Sequence, residues 1–330
     1  CSVPQCSGNL NGRDYLCDYA CRHSDCMSFG SITLFFGLAL DRLIGDPRSR
    51  FHPVALLGNL IGFWGRTNFY PRSLERAAGI LGWLVTVGIA FVPCVLLYLF
   101  APTAVFVIFS ILALAFCIGW RSLEEHVSAV EEALAKGEEE GRRAVSYLVS
   151  RDTKTLSFEQ IRSGAYESAA ENLVDSIIAP IFWFVVFELL FGAGIFGAVL
   201  FRCANTMDAM LGYTDERIRL GWFAARADDV LAFIPARVTG ILLLTVFAFK
   251  GTAKDARRCD RRDRKKRPGF NGGTPMSMIA GGCGICFEKP GVYTIGDARR
   301  TLADGGKGII SAMRQTTVLA AVIGILLMVL

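Results

Sequence analysis

The hydrophobic positions of this 330-residue chain gather into long apolar runs separated by polar stretches. The longest run, residues 78–119, contains no charged side chain and is divided by Pro102 into two segments. Each segment is long enough to cross about 30 Å of hydrocarbon as a helix that rises about 1.5 Å per residue. The run therefore predicts a tight transmembrane hairpin. Other apolar runs, shorter or interrupted by Gly, Pro or charge, are residues 29–45, 176–201, 230–249 and 315–330.

The polar stretches between these runs carry helical signals of their own. Residues 121–148 are rich in charge and place apolar side chains at helical intervals, with a turn near Gly137. Farther along, Ser157 is followed three positions later by Gln160, which is a capping-box signature for the start of a helix. The pattern as a whole predicts an all-α, polytopic membrane protein with about four to six transmembrane or half-depth helices and polar cytoplasmic helical segments.

Composition supports this class. Hydrophobic residues make up 52% of the chain, with 24 phenylalanines. The length would also suit two soluble domains, but this composition favours a protein that lies in the lipid bilayer. The formal net charge is +5, but residues 250–267 alone contain ten Lys or Arg against three Asp. A basic loop beside an apolar segment is typical of a cytoplasmic connection held against anionic lipid. No aromatic side chain lies between Arg262 and Pro268, and nucleic acid is not an expected partner.

Cysteine usage sets the first 26 residues apart. Five of the eleven cysteines lie there, and Met27 directly precedes an apolar run. We expect residues 1–26 to be an artefactual or disordered extension and residues 27–330 to form a single membrane-embedded domain. A cysteine-rich metal knuckle is the alternative, but the spacings match no standard zinc pattern. Cys283 and Cys286 form one CxxC pair, and inert thiols are the simpler interpretation of it.

A row of acidic residues stands directly before the apolar run at 176–201. Glu167, Glu171 and Asp175 are four residues apart and share one face of a helix. Like charges at this spacing repel each other by about 0.2–0.5 kcal/mol per pair. A metal ion, an arginine or a charged substrate is expected to offset them. Ser168 and Asn172 line the adjacent stripe and can act as further oxygen ligands or hydrogen-bond donors. The alternative interpretation of the acidic row is a solvated helix face without a function.

Two other stretches place polar side chains where a ligand can reach them. Gly45, Pro47 and Pro53 break the helical pattern and hold Asp46 and His52 on a loop at the membrane surface. His52 there is either a catalytic base or a hydrogen-bonded loop residue. Arg151, Asp152 and Thr153 precede the predicted helix start at Ser157, and a helix start beside an arginine is suited to bind an anion.

A polar island separates the apolar runs at 176–201 and 230–249. Ionisable residues this close to lipid are unfavourable unless they have a function. If both flanking runs span the membrane, the island faces outward. We favour half-depth helices, broken at Gly192, Gly194, Pro235 and Arg237, which are compatible with a protein-enclosed cavity. The island's notable polar residues are Asn205, Asp208, Tyr213, Glu216, Arg217, Arg226, Asp228, Asp229 and Arg237.

Six motifs, taken in order, resemble those of the adenosylcobinamide-phosphate synthase family, CbiB/CobD. They are GDPxxxxHPV at 45–54, RDT at 151–153, ESxAENxVDxxIAPxFW at 167–183, NTMDAMxGYxxERxxxxGWxAARxDD at 205–229, IPAR at 234–237 and EKPGVY at 288–293. The match extends from about residue 30 to the end of the sequence. Any one of these motifs alone is a weak signal, whereas six in the right order are specific.

The resemblance implies an ATP-dependent ligase of cobalamin biosynthesis. Its substrates would be adenosylcobyric acid and (R)-1-aminopropan-2-ol O-phosphate or a related amino alcohol, joined by an amide bond into adenosylcobinamide phosphate. ATP would act as its Mg²⁺ complex. The family likeness also implies a multi-pass protein of the cell membrane with a cytoplasm-facing active site, and it makes other membrane enzymes of the pathway candidate partners.

The implied chemistry gives the polar residues roles. Activating a carboxylate with ATP requires Mg²⁺ and arginines to stabilise the charge of phosphoryl transfer, and the amine must lose a proton. The expected metal ligands are Glu167, Glu171, Asn172, Asp175 and Asn205. The expected proton acceptors are His52, Asp208 and Asp228, with no order among them. The expected substrate- and phosphate-binding residues are Asp46, Arg151, Asp152, Thr153, Tyr213, Glu216, Arg217, Arg226, Asp229 and Lys289.

Two points stand against a simple transfer of the family's chemistry. The chain has no GxxxxGK[ST] phosphate loop, so the way it binds ATP is open.

Buried acids beside broken apolar segments also mark ion pathways, and a divalent-cation or small-molecule transporter is the principal alternative. We find no convincing internal repeat between the two halves of the chain, which favours the synthase. A lipid-modifying transferase would explain the acids but not the ordered motifs.

Overall fold

The computed structural model describes residues 14–45, 52–213 and 215–330, with side chains from residue 29 onwards. Of the predicted extension, residues 1–13 lie outside the described residues, and the backbone from residue 14 forms the first part of helix α1. The expectation that residues 1–26 are artefactual or disordered stays a prediction.

Helices make up almost all of the regular structure in the described residues. In chain order the helices are α1 (Asp14–Ile44), α2 (Pro53–Trp64), α3 (Glu75–Phe100), α4 (Thr103–Cys117), α5 (Trp120–Leu134), α6 (Glu138–Ser146), α7 (Phe158–Leu173), α8 (Ala179–Phe191), α9 (Gly194–Leu211), α10 (Trp222–Leu231), α11 (Phe233–Phe249), α12 (Ala253–Asp263), α13 (Gly273–Cys283) and α14 (Leu302–Val329). A π-helical turn, Val174–Ile178, joins α7 to α8, and short 3₁₀ turns cover Thr67–Phe69 and Glu216–Ile218. The strands are β1 (Cys286–Lys289) and β2 (Tyr293–Gly296).

Five helical segments among the described residues are long and apolar enough to cross a membrane. They are Glu75–Phe100, Thr103–Leu134, Phe158–Phe191, Trp222–Phe249 and Leu302–Val329. The predicted all-α, polytopic class is confirmed. The predicted hairpin is also present, because α3 ends at Phe100 and α4 begins at Thr103 after Pro102.

The apolar run at 176–201 is divided as its glycines suggest. Gly192 takes a left-handed conformation, with φ 63°, and ends α8. Helix α9 then folds back along α8 at close range, and a Cβ on Gly197 would lie 2.1 Å from the Trp183 carbonyl oxygen. Glycine at 197 is therefore a packing requirement.

The segment Trp222–Phe249 is a single helical path with a kink at Ala232. The backbone N–H of Ala232 still donates to the Asp228 carbonyl, and that of Ala236 to the Ala232 carbonyl. Pro235 has no N–H, so the Leu231 carbonyl lacks its usual helical donor. The Trp183 indole N–H donates to that carbonyl at 2.9 Å instead. Pro235 thus bends the helix and ties α10 to α8. Whether any of these helices ends at half depth stays a prediction.

A two-stranded antiparallel hairpin is the only sheet in the described part of the chain. Phe287 of β1 pairs with Ile295 of β2, and both side chains are fully buried in the main hydrophobic core. That core also contains Phe184 of α8 and Phe247 of α11. The hairpin is therefore packed as firmly as the helices around it.

The basic stretch at 250–267, expected as a loop, is mostly helix α12. Two of its three carboxylates are buried, those of Asp260 and Asp263, and Asp263 is fully buried. The Asp263 carboxylate forms ion pairs with Lys266 and Arg262, each at 2.7 Å. It also accepts a hydrogen bond from the Gly296 N–H at 2.9 Å. Burial opposes ionisation of Asp263, but these hydrogen bonds outweigh it and lower the pKa of Asp263. Asp263 therefore anchors the end of the hairpin to α12.

We predict that Asp263→Asn lowers the free energy of unfolding by about 2 kcal/mol, because it removes charge-assisted hydrogen bonds to a fully buried carboxylate. Thermal unfolding of the detergent-purified chain measures the change. Asp297→Asn is the matched control, since Asp297 also binds Arg262, at 2.8 Å, but is half-exposed. The control is expected to change the stability by less than about 1 kcal/mol.

The lowered pKa of Asp263 also predicts a pH dependence. Its contribution is present above the unfolded-state pKa of about 3.9 and is lost as the pH falls from there through the lower folded-state pKa. Equal sensitivity to acid in the wild type and Asp263→Asn would contradict the anchor role.

Candidate active site

The π-turn at Val174–Ile178 is the local feature that shapes the site. Its hydrogen bond runs from the Ala179 N–H to the Val174 carbonyl, one residue wider than in an α-helix. The Ser176 carbonyl accepts a hydrogen bond at 2.9 Å from the N–H of Gly119, which precedes α5. The wide turn therefore joins the start of α5 to the helix and sets the direction of Asp175 within it.

Three aspartates from different segments meet beside this turn: Asp175 from the π-turn, Asp208 from α9 and Asp228 from α10. Asp175 and Asp208 both act electrostatically on Asp228, and the Asn205 side chain lies near the Asp228 carboxylate. Burial raises the pKa of Asp208, and the nearby Asp229 carboxylate raises it further. We refer to Asp175, Asp208 and Asp228 as the aspartate cluster.

One oxygen of the aspartate cluster has no partner. The Oδ1 atom of Asp228 is inaccessible to solvent and forms no hydrogen bond with any described residue. An unsatisfied buried acceptor is unfavourable by about 1–3 kcal/mol, and more when it is charged. The geometry therefore leaves a position for a cation or a hydrogen-bond donor.

Few positive charges oppose the aspartate cluster. Arg202 of α9 lies within electrostatic range of Asp175. Its guanidinium, however, donates to the Cys117 carbonyl, at 2.9 Å from Nε, and to Asn205 Oδ1 at 3.4 Å. Arg226 is directed to Asp229, with 3.3 Å between nitrogen and oxygen. The cluster thus keeps an excess of negative charge.

The other two acids of the predicted row belong to a separate group. Glu167 is almost fully buried and accepts hydrogen bonds from Arg151 Nη2 at 2.7 Å, Tyr293 Oη at 2.8 Å and Ser163 Oγ at 2.5 Å. Glu171 forms an ion pair with Arg267. We refer to these six residues as the hairpin cluster, because they hold β1 and β2 against α7.

The five predicted metal ligands are therefore not brought together. Glu167 and Glu171 are paired with guanidinium groups, and the Asn172 amide donates to the Ser168 carbonyl of its own helix at 2.9 Å. Asp175 and Asn205 are the two that meet at the aspartate cluster. No group of three or more His, Cys, Asp or Glu side chains in the described residues is arranged to hold a metal ion.

His52 of the predicted proton acceptors lies at the start of α2. Its Nδ1 accepts a hydrogen bond from the Val54 N–H at 3.2 Å, and its ring packs edge-on against Phe116 at 4.9 Å between centroids. His52 is therefore the N-cap residue of α2. Asp46 lies outside the described residues.

Arg151, Asp152 and Thr153 form the turn that leads into α7. Asp152 Oδ1 accepts from the Lys154 N–H at 3.0 Å, and Thr153 is buried. Arg151 also donates to the Glu288 carbonyl at 3.2 Å. Lys289 stands opposite Tyr293 in the hairpin register. Arg151 is therefore a member of the hairpin cluster, and Lys289 lies beside Tyr293 of the same cluster.

The connection between α9 and α10 holds the remaining predicted residues. Arg217 donates from Nε to Asp215 Oδ1 at 3.0 Å and from Nη1 to the Met210 carbonyl at 2.9 Å. It also lies over the Tyr213 ring, with 4.3 Å between the guanidinium carbon and the ring centroid. The hydrogen bonds that the side chain and the backbone N–H of Arg217 donate to the Asp215 carboxylate lower the pKa of Asp215 to about 2. Arg217 is thus engaged locally, and Glu216 is exposed.

Sequence reasoning missed Arg202, Arg267 and Ser163. A signal for Arg202 existed, because it is the only charged residue between Glu188 and Asp208 and a charge in an apolar run is unfavourable without a role. Arg267 had no such signal, since it stood among nine other basic residues and its partner Glu171 is distant in sequence.

Comparison with known proteins decides the family. The family model described as CobD/Cbib protein matches residues 34–320. The chain belongs to the CobD/CbiB family. The resemblance drawn from the six motifs is thereby confirmed, and the role of the chain is in cobalamin biosynthesis.

Curated relatives agree with this CobD/CbiB assignment. A probable cobalamin biosynthesis protein CobD from Methanothermobacter thermautotrophicus is 38% identical over 269 residues, covering 80% of this chain and 86% of the relative. One from Thermococcus kodakarensis is 39% identical, covering 79% and 84%. A cobalamin biosynthesis protein CobD from Pelobacter propionicus is 36% identical, covering 88% and 93%. No solved structure matches the chain significantly.

The aspartate cluster is built from two of the motifs that identify this CobD/CbiB chain. Asp175 lies in the motif at 167–183, and Asp208 and Asp228 lie in the motif at 205–229. The fold thus joins two motifs that are separate in sequence into one group of carboxylates.

We predict that Glu167→Gln lowers the free energy of unfolding by about 3 kcal/mol, because it leaves the mostly buried Arg151 guanidinium without its counter-charge. Thermal unfolding of the detergent-purified variant is the measurement, and the double variant with Arg151→Gln is expected to recover part of the loss. Glu131→Gln is the control, since Glu131 pairs with Arg162 at 3.0 Å in a more exposed position. Unchanged stability in Glu167→Gln would show that the hairpin cluster is not a structural anchor.

Proposed function

We propose that the chain catalyses ATP-dependent amide formation between adenosylcobyric acid and (R)-1-aminopropan-2-ol O-phosphate or a related amino alcohol, giving adenosylcobinamide phosphate. The proposal rests on family membership together with one observation, the aspartate cluster with its unpartnered Asp228 oxygen. A multi-pass location in the cell membrane with the site facing the cytoplasm belongs to the same proposal, because ATP is supplied from that side.

The donor set of the aspartate cluster fits Mg²⁺ carried in with ATP. Mg²⁺ binds carboxylate, amide and phosphate oxygens, and it usually takes only one or two protein carboxylates while water and phosphate fill the other positions. A preformed group of three ligands is therefore not required. Asp175 and Asp228 would hold the ion, with Asn205 beside them. When bound, Mg²⁺ neutralises negative charge on the phosphates.

The reaction needs the substrate carboxylate to become a better acyl donor. In the simplest route, the carboxylate oxygen attacks the γ-phosphorus of ATP, the bond to ADP breaks, and an acyl phosphate forms. The amine nitrogen then attacks the acyl carbon, inorganic phosphate leaves, and the amine proton passes to a carboxylate. Asp208 is the proton acceptor we favour, because the other two aspartates are assigned to the ion.

Arginines near the aspartate cluster supply the phosphate contacts. Arg226 is more than half exposed, and Asp229 is its one ion-pair partner in the described part of the chain, so its guanidinium can turn toward a bound phosphate. Arg202 would hold Asp175 in place and balance part of the charge. Arg151 and Arg217, which have several protein partners each, are better suited to position the hairpin and the α9–α10 connection.

Substrate surfaces are available next to the aspartate cluster. Tyr213 and Trp222 lie at the two ends of the α9–α10 connection and are both exposed, so their rings offer a surface for the apolar parts of a corrinoid. Lys289 of the hairpin remains a proposed contact for a substrate phosphate or carboxylate.

The first test is substrate dependence. Purified protein in detergent is expected to hydrolyse ATP to ADP and phosphate only when both adenosylcobyric acid and the amino-alcohol phosphate are present. Mass spectrometry of the corrinoid is expected to show the amide-linked product in equal amount. ATP hydrolysis without this product, or full turnover without ATP, would refute the proposed reaction.

The second test separates the aspartate cluster from the hairpin cluster. Asp175→Asn and Asp228→Asn are expected to reduce turnover by about 10³-fold or more while the thermal midpoint stays equal or rises, since each removes a like charge. Glu171→Gln, whose charge is already matched by Arg267, is expected to keep most of the activity. Glu139→Gln, an exposed carboxylate of α6, serves as the control. Wild-type rates in both aspartate variants would remove the assignment.

A further inference from the structure

A polar cavity lies between the end of α11 and the start of α14. It has a volume of about 340 Å³ and is lined in part by the basic side chains Lys250, Arg299 and Arg300. None of its lining residues belongs to the aspartate cluster or the hairpin cluster. Asp228 and Lys250 are separated by about 30 Å of helix length along α10 and α11. The proposed reaction therefore does not account for this cavity.

The basic side chains outnumber the acidic ones in this cavity. Its two carboxylates are Asp255, which pairs with Arg299 at 3.1 Å, and Asp304, which accepts from the Thr301 hydroxyl at 2.8 Å. Among the residues that the structure describes, the Lys250 ammonium donates to the Ser311 hydroxyl alone, at 3.3 Å. The Arg300 side chain has no hydrogen-bond or ion-pair partner among the described residues. Two cations thus face the cavity without a carboxylate of their own.

A buried hydroxyl points to a missing ligand. The Oγ1 atom of Thr252, which lines the cavity, is inaccessible to solvent and has no hydrogen-bond partner among the described residues. Such a group is unfavourable by about 1–3 kcal/mol unless a partner satisfies it. A ligand oxygen in the cavity would accept its hydrogen bond.

Glycines bring the backbone to the cavity surface. Five of the lining residues are Gly281, Gly282, Gly284, Gly305 and Gly308. Gly284 has φ +67°, and a Cβ on Gly282 would lie 2.4 Å from the Phe247 ring. The glycine at 282 is thus a packing requirement, whereas at Gly284 and Gly308 a Cβ would meet nothing closer than 3.6 Å, which allows the close approach that phosphate groups make in glycine-rich sites.

The thiol of Cys283 shows that the two cations face the same wall. Burial raises the pKa of Cys283 to about 11, whereas Lys250 and Arg300 both act to lower it. Both positive charges therefore lie within electrostatic range of the Cys283 thiol, which lines the same cavity. Forked guanidinium donors and an ammonium group around one position are the arrangement that recognises phosphate.

The cavity lies between the ends of two helices. Lys250 directly follows α11, and Arg300 directly precedes Thr301, the N-cap residue of α14. Phe249, beside Lys250, is almost fully exposed. Basic pockets between the ends of membrane helices are places where phosphate head groups bind.

We propose that this cavity is a binding site for a phosphate group, contacted by Lys250, Arg300 and the Thr252 hydroxyl, and distinct from the site of amide formation. The phosphate has two possible sources, the head group of an anionic phospholipid and a free phosphate compound. Both present the same oxygens to the same three side chains, and the test below distinguishes them.

The test measures binding without ATP or corrinoid, so its outcome does not depend on the proposed reaction. The full chain is placed in nanodiscs of phosphatidylcholine that contain a minority of phosphatidylglycerol, and the lipid retained after detergent extraction is quantified by mass spectrometry. The cavity variant is Lys250→Gln with Arg300→Gln. The control variant is Arg257→Gln with Arg261→Gln, which makes the same charge change on exposed positions of α12 outside the cavity.

If the source is lipid, the wild type and the control variant retain phosphatidylglycerol, and the cavity variant retains about 25-fold less, since each cation beside an anionic phosphate contributes about a fivefold factor. If the source is a free phosphate, inorganic phosphate or pyrophosphate raises the thermal midpoint of the detergent-purified wild type, at matched ionic strength, but not that of the cavity variant. Equal behaviour of the cavity and control variants in both assays would overturn the proposal. Thr252→Val, which preserves shape, is expected to weaken binding in the same assay.

Discussion

The gathering of carboxylates at the π-turn is the constraint on which the rest of the structure depends. Asp175, Asp208 and Asp228 come from three helical segments, and in the described part of the chain Arg202 acts on Asp175 while Arg226 is directed to Asp229. Packing alone does not favour such a group, because like charges in a low-dielectric environment repel each other strongly. The surrounding helices must therefore hold the aspartates together in the absence of a cation, and the close α8–α9 contact and the kinked α10–α11 segment do so.

The two clusters of acids illustrate two different uses of the same residue type. Glu167 is satisfied by an arginine, a tyrosine and a serine, and its effect is to fix the hairpin against α7. In contrast, Asp228 keeps one buried oxygen without any partner among the described residues. A carboxylate with all of its hydrogen bonds made contributes to stability, whereas one left unsatisfied indicates a ligand. This contrast, rather than the spacing of the acids, separates scaffold from site.

Much of the fold could be predicted from the sequence, because its strongest signals are local. The charge-free run with Pro102 predicts α3 and α4, and the capping box at Ser157 is present, with Gln160 bonded back to the Ser157 N–H at 3.1 Å. The site was less predictable. Helical spacing placed Glu167, Glu171 and Asp175 on one face but gave no information about what lies opposite, and Arg267 reaches Glu171 only through tertiary packing. The buried side of α12 could not be predicted either, because it lies within a run of basic residues and depends on tertiary packing.

The π-turn has a consequence for how this helix relates to its own sequence. A π-turn holds one residue more than an α-turn, so every side chain beyond Ile178 is rotated by about 100° from the position that an unbroken helix would give it. Helix α7 therefore presents its acids to the hairpin while α8 presents a different stripe to α9. The extra residue changes the direction in which the side chains of α8 point relative to those of α7. One continuous helix can therefore pack against two neighbours that lie in different directions.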